Sequence, residues 1–130
     1  MKKVYYNKLV RDRIQTKIEG KGEACSVRSI EDVDEFIQEL LKKVIEEADA
    51  LAHSRTRAEF LSEYADVMVV LDALTSTLEI SETDLRIAMT ENVEKKGLYK
   101  NRHFLNWSED RGYKSNETPQ GLSWNLSTYW

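Results

Sequence analysis

Four acidic side chains in this chain are the candidates for chemistry. They are Glu46 and Glu47, in residues 45–51 (IEEADAL), and Glu63 and Asp66, in residues 63–67 (EYADV). Both stretches lie in segments with helical spacing of apolar residues, so each side chain can be placed on a wheel at about 100° per residue. In residues 32–52 the apolar stripe is centred near Ile37 and Val44. Glu46 and Asp49 fall well outside it, whereas Glu47 falls inside the apolar arc, between Phe36 and Leu40. In the following segment Glu63 lies close to Val70 and Leu74, and Asp66 sits one turn along the same flank, beside Val70. Two readings are open. The acids are solvated and paired along the helix, as expected of Glu39, Lys42, Lys43, Glu46 and Asp49. Alternatively, two neighbouring helices each present a carboxylate at the border of the core. Two carboxylates ~5 Å apart repel by ~3 kcal/mol at an effective dielectric of 20. A shared proton, a Lys or Arg, or a divalent cation must then offset that repulsion. Oxygen donors without Cys or His partners select Mg²⁺, Mn²⁺ or Ca²⁺ over zinc. His53 and His103 show no ligand spacing and are expected at the surface.

The elements that must position these acids are helices. Residues 7–19 have Leu9, Val10, Arg13, Ile14 and Ile18 near one side, which predicts a short helix ended by Gly20 and Gly22. Residues 24–30 can be a short extended link. Ser29 with Asp32 resembles a helix start, and Val33, Phe36, Ile37, Leu40, Leu41, Val44, Ala48 and Leu51 predict a helix over 32–52. Thr56 with Glu59 is a capping box for the next helix, with its stripe at Phe60, Leu61, Tyr64, Val67, Met68, Leu71, Leu74 and Leu78. Ser81 with Asp84 opens a fourth helix that runs to about Lys96, before Gly97. Short turns separate the last three helices, so the expected fold is all-α: an antiparallel bundle of about four helices. Residues 1–105 form the expected helical domain. Residues 106–130 hold all three tryptophans and the one proline without helical period. They form a tail, either disordered or packed through its aromatics on the bundle or a partner subunit.

Composition narrows the function classes. The chain has 130 residues, 41% apolar and 32% charged, which fits one soluble domain. Its net charge of −4 and lack of a basic stripe argue against nucleic-acid binding. An acidic protein can still bind a phosphorylated small molecule through a divalent cation. No apolar run approaches the ~20 residues of a membrane span. The N-terminus lacks a signal-peptide core, and the single Cys25 has no disulfide partner within the chain, so the expected location is cytoplasmic, with no membrane partner.

The order of motifs is recognisable. Residues 43–47 (KVIEE), 63–67 (EYADV) and 91–99 (ENVEKKGLY) resemble the MazG-like, all-α nucleoside triphosphate pyrophosphohydrolase superfamily, which includes phosphoribosyl-ATP pyrophosphatases and dimeric dUTPases. Residues 6–14 (YNKLVRDRI) narrow the resemblance to a phosphoribosyl-ATP-pyrophosphohydrolase-like subgroup; together the motifs cover about residues 5–105. The resemblance implies Mg²⁺-dependent (or Mn²⁺-dependent) cleavage of a nucleoside triphosphate to a monophosphate and pyrophosphate, of the house-cleaning kind. It also implies assembly through helix packing as a homodimer or a dimer of dimers. In the family, E-x-x-E and E-x-x-D hold the metal, and one carboxylate orients or deprotonates a water. Carried over by position, Glu47, Glu63 and Asp66 are the implied metal ligands and catalytic acids, with Glu46 supporting. Asn92 and Lys95, and more weakly Lys96, are implied substrate contacts. Lys8 and Arg11 can approach phosphates from the N-terminal segment, although Arg11 and Asp12 can equally form a structural ion pair. Two positions depart from the family pattern: Ala50 stands where the last acid of E-x-x-E belongs, and Gln15 stands where proline is common. Ala50 opens the alternative of a catalytically weak homologue that binds nucleotide or a protein partner. Hydrolysis of phosphoribosyl-ATP is a third possibility, resting on the N-terminal motif alone.

Overall fold

A computed structural model describes residues 2–109. The described residues form four helices: α1 (Ile14–Gly20), α2 (Val33–Ala52), α3 (Arg57–Thr77) and α4 (Glu82–Lys96). They contain no strand, so the expected all-α class holds and the 24–30 link is irregular. No helix among them is long and apolar enough to cross a membrane. Residues 110–130, which make up most of the expected aromatic tail, lie outside the described residues.

Local chemistry sets the helix ends. Asp32 caps α2 by accepting a hydrogen bond from the Glu35 backbone N–H at 3.3 Å, so Asp32 itself, and not Ser29, is the cap. The Arg28 guanidinium donates to both carboxylate oxygens of Glu35, at 2.6 and 3.2 Å, which ties the preceding link to the first turn of α2. Thr56 caps α3 through the Glu59 N–H at 3.1 Å, and the Glu59 carboxylate reaches back to the Arg55 N–H at 2.7 Å. Ser81 does the same for α4 through the Asp84 N–H at 3.1 Å. At the end of α3 the Ile80 N–H donates to the Thr75 carbonyl and the Glu79 N–H to the Ser76 carbonyl. This is the Schellman pattern, with Glu79 at φ +57 where glycine is preferred.

The N-terminal segment departs from expectation. Residues 7–13 are not helical: Asn7 adopts φ +48, and the helix begins at Ile14. Leu9 packs against the core, and Lys8 and Arg11 reach across to α2 and α3. These long-range contacts override a helical spacing that nothing else in the segment supports.

Helix-on-helix packing among the described residues is confined to α2 and α3. Leu40 of α2 and Val70 and Leu74 of α3 are the buried side chains, with Leu9, Phe36, Ile37, Leu41, Val44 and Ala73 packed around them. Leu40, early in α2, meets Leu74, late in α3, so the pair is antiparallel. The expected bundle is therefore present within one chain as a single hairpin, and α4 packs on neither of its helices. Phe60, Leu61, Tyr64 and Met68 of the expected α3 stripe are exposed, as are Ile87 and Met89 of α4. The described residues divide into two units between Lys95 and Lys96. The second opens with a turn in which Gly97 adopts φ +77 and the Arg102 N–H donates to the Tyr99 carbonyl at 3.0 Å.

Two substitutions check these helix ends. Thr56→Ala is expected to lower stability by about 1 kcal/mol, through loss of the α3 cap. Glu79→Gly is expected to raise it by about 0.5–1 kcal/mol, by relieving the left-handed backbone. Urea denaturation followed by circular dichroism reads both signs.

Candidate metal centre

The antiparallel α2–α3 pair sets the site. Glu63 and Asp66 are one turn apart on α3 and therefore share a face. Glu47 stands opposite them on α2, seven residues beyond Leu40, while Asp66 stands eight before Leu74. One carboxylate oxygen from each of Glu47, Glu63 and Asp66 lies within 4.8 Å of the other two, and all three residues are half-buried. The wheel placement of these three acids at the core border is thus realised.

Charges around the triad are unevenly balanced. The Glu47 carboxyl is pushed above the usual carboxylate range, first by burial and then by Asp66, with Glu46 and Glu63 adding and Lys43 opposing. Glu46 behaves oppositely. It accepts hydrogen bonds from Lys43 at 2.9 Å and Lys8 at 3.0 Å, which hold its carboxyl below the usual range. Its side chain is 44% exposed, and it is not among the three clustered acids. Asp66 accepts one hydrogen bond from the Arg11 guanidinium at 3.2 Å. Arg11 therefore pairs across the fold with Asp66 rather than with its neighbour Asp12. Lys8 also lies 5.7 Å from the centre of the Tyr6 ring.

Three hard oxygen donors from two rigid helices, with no Cys or His among them, suit a divalent cation of the Mg²⁺ or Mn²⁺ type. Burial and the neighbouring carboxylates together raise the Glu47 carboxyl, and such an ion would relieve both. Ala50, one turn beyond Glu47, is half-buried and offers no side-chain donor; its carbonyl accepts the His53 N–H at 3.2 Å. Asp49 turns away as expected, 3.6 Å from His53, and both side chains are exposed.

The remaining implied residues are not gathered here. Asn92 and Lys95 are exposed on α4, which does not pack on α2 or α3, so one chain does not bring them to the acids. Lys96 is exposed and begins the second unit. Lys43, which opens the KVIEE motif and is expected in a surface pair, does pair with Glu46, but its side chain is only 15% exposed. Its spacing four residues before Glu47 is the signal that could have found that burial. Comparison with known protein families, curated proteins and solved structures finds no match to this chain.

The raised Glu47 carboxyl has a consequence for stability. Its ionised form is disfavoured in the folded state, so the stability it allows is full below its unfolded pKa and is lost as pH rises through its folded pKa. Glu47→Gln is expected to raise the melting temperature of the cation-free protein at about pH 7 and to leave it unchanged at about pH 3.5. Paired thermal melts in chelator at the two pH values measure this.

Proposed function

We propose that this chain is a Mg²⁺-dependent nucleoside triphosphate pyrophosphohydrolase that cleaves (d)NTP to (d)NMP and pyrophosphate, in the manner of the MazG-like superfamily its motifs resemble. One observation carries the reading. The two acidic motif segments lie side by side on α2 and α3, and Glu47, Glu63 and Asp66 converge within 4.8 Å. Mg²⁺ or Mn²⁺, when bound, neutralises phosphate charge and acidifies coordinated water. In this reading Glu47, Glu63 and Asp66 hold the cation. Glu46, hydrogen-bonded to Lys8 and Lys43 just outside the cluster, supports the site, and one of the carboxylates would orient or deprotonate the attacking water. Lys8 and Arg11 stand at the rim of the acids, where their positive charge suits the phosphates of an incoming nucleotide.

Assembly belongs to the same reading. Among the described residues only Leu40, Val70 and Leu74 are buried, while α3 leaves Phe60, Leu61, Tyr64 and Met68 exposed. A contiguous apolar helix face of this kind is an association surface. A second copy packed on it gives a homodimer, or a dimer of dimers. It also supplies the route by which Asn92, Lys95 and Lys96 of one subunit meet the acids of another.

Ala50 favours a second reading, a homologue that binds nucleotide without turnover. A panel of standard and modified (d)NTPs separates the two. The leading reading expects pyrophosphate release with Mg²⁺, lowered ~100-fold or more by Glu63→Gln and by Asp66→Asn. The second expects thermal stabilisation by nucleotide without pyrophosphate, and turnover gained by Ala50→Glu. Full activity in both acid variants contradicts the ligand assignment. Sedimentation velocity is expected to show a dimer or tetramer, and Phe60→Glu is expected to shift it toward monomer; a wild-type monomer at ~100 μM contradicts the assembly.

A further inference from the structure

We propose that Arg11 is a tethered counter-ion for the carboxylate triad, which exchanges off Asp66 when a divalent cation binds and thereby frees its guanidinium. The inference rests on the reading of Glu47, Glu63 and Asp66 as a cation site.

The N-terminal segment crosses α2 and α3 with two cations and one apolar anchor. Lys8 donates to Glu46 of α2, Leu9 packs against the core, and Arg11 donates to Asp66 of α3. Only the Arg11 contact engages one of the three clustered acids. It is also built to exchange. A single hydrogen bond of 3.2 Å joins Nη1 to Oδ1, with side chains 63% and 35% exposed. A two-pronged guanidinium–carboxylate pair is far more tenacious, and Arg28 with Glu35 shows that arrangement elsewhere in the same chain. A divalent cation on the three acids competes with Arg11 for the Asp66 carboxylate and neutralises the charge that holds the guanidinium there. The doubly charged ion has three carboxylates to satisfy it, and Arg11 has one.

Release stays local. Lys8 on Glu46 and Leu9 on the core do not touch the triad, and the Arg11 carbonyl still accepts the Ile14 N–H at 3.1 Å. The side chain therefore swings from a fixed backbone. It swings beside a groove of about 410 Å³ whose lining includes Arg11, Gln15, Val27, Arg28 and Phe36. Arg28 is committed to Glu35, so Arg11 is the guanidinium made available there, and only when the acids already hold a cation. Phosphate recognition by Arg11 is then conditional on metal, and an anion arriving first meets an arginine that is already engaged.

The test uses the full chain and two readouts. Mn²⁺ affinity is measured by the electron paramagnetic resonance of free Mn²⁺ for the wild type, Arg11→Ala and Arg11→Lys. The Arg11 Nε–H resonance is followed in ¹⁵N-arginine-labelled protein during Mg²⁺ titration, assigned with Arg11→Lys, and the Arg28 resonance serves as the internal control. Arg11→Ala is expected to bind Mn²⁺ about two- to fivefold more tightly than wild type, and Mg²⁺ is expected to move Arg11 to the position of a solvated arginine while Arg28 stays. Wild-type Mn²⁺ binding with an unmoved Arg11 resonance, or with no tightening in Arg11→Ala, overturns this proposal alone. No wild-type Mn²⁺ binding overturns the cation site and the proposal together.

Discussion

Three carboxylates held within 4.8 Å of one another are the constraint around which this chain is organised. Like charges so close move apart wherever the backbone allows, and here it does not. The capped turn between α2 and α3 fixes one end of the hairpin, and Leu40, Val70 and Leu74 clamp the other. Glu47 therefore faces Glu63 and Asp66 whatever their charges prefer. The surrounding cations relieve this only in part. Lys8 and Lys43 are spent on Glu46, just outside the cluster, and Arg11 makes one bond to Asp66. The carboxyl of Glu47 is driven up, first by its burial and then by the residual field of Asp66. A fold that tolerates such an incompletely paired excess is the pattern expected of a binding site, where stability is exchanged for affinity.

The same hairpin leaves apolar surface uncovered among the described residues. Its buried core is narrow, and the larger apolar side chains of α3 and α4 stand exposed. The site-building elements and the proposed subunit-building elements are therefore distinct surfaces of the same helices. The inner flank of α3 carries Glu63, Asp66, Val70 and Leu74, and its other flank carries Phe60, Leu61 and Met68. In the proposed assembly the second flank adds the stability that one chain's core does not provide, and brings the basic end of α4 towards the acids.

Much of this was legible from spacing alone. Thr56 with Glu59, Ser81 with Asp84 and Gly97 after Lys96 each mark a helix end that the structure reproduces, because capping is a local interaction. The wheel separated Glu47 from Glu46 and Asp49 because a hairpin buries one flank of each helix, and helical geometry fixes which residues share it. Long-range contacts were not legible. Leu9, Val10, Arg13, Ile14 and Ile18 have helical spacing, yet Asn7 turns left-handed and residues 8–11 are drawn across α2 and α3. Arg11 chose Asp66 over the adjacent Asp12, a partner 55 positions away that no local rule identifies. The end of α3 carries Glu79 where a glycine would have announced it. Helical spacing marks the apolar stripe of α3 but not how much of it α2 covers, and Phe60, Leu61, Tyr64 and Met68 stand exposed.

The most direct measurement is a crystal structure of the protein soaked in Mn²⁺, with anomalous scattering collected at the manganese edge. The predicted result is an anomalous peak between α2 and α3, with oxygens of Glu47, Glu63 and Asp66 at about 2.0–2.2 Å and water in the place that a side chain at Ala50 does not fill. An anomalous map empty at this site in crystals soaked to millimolar Mn²⁺, or a manganese bound by other residues while these three carboxylates keep their cation-free positions, would contradict it.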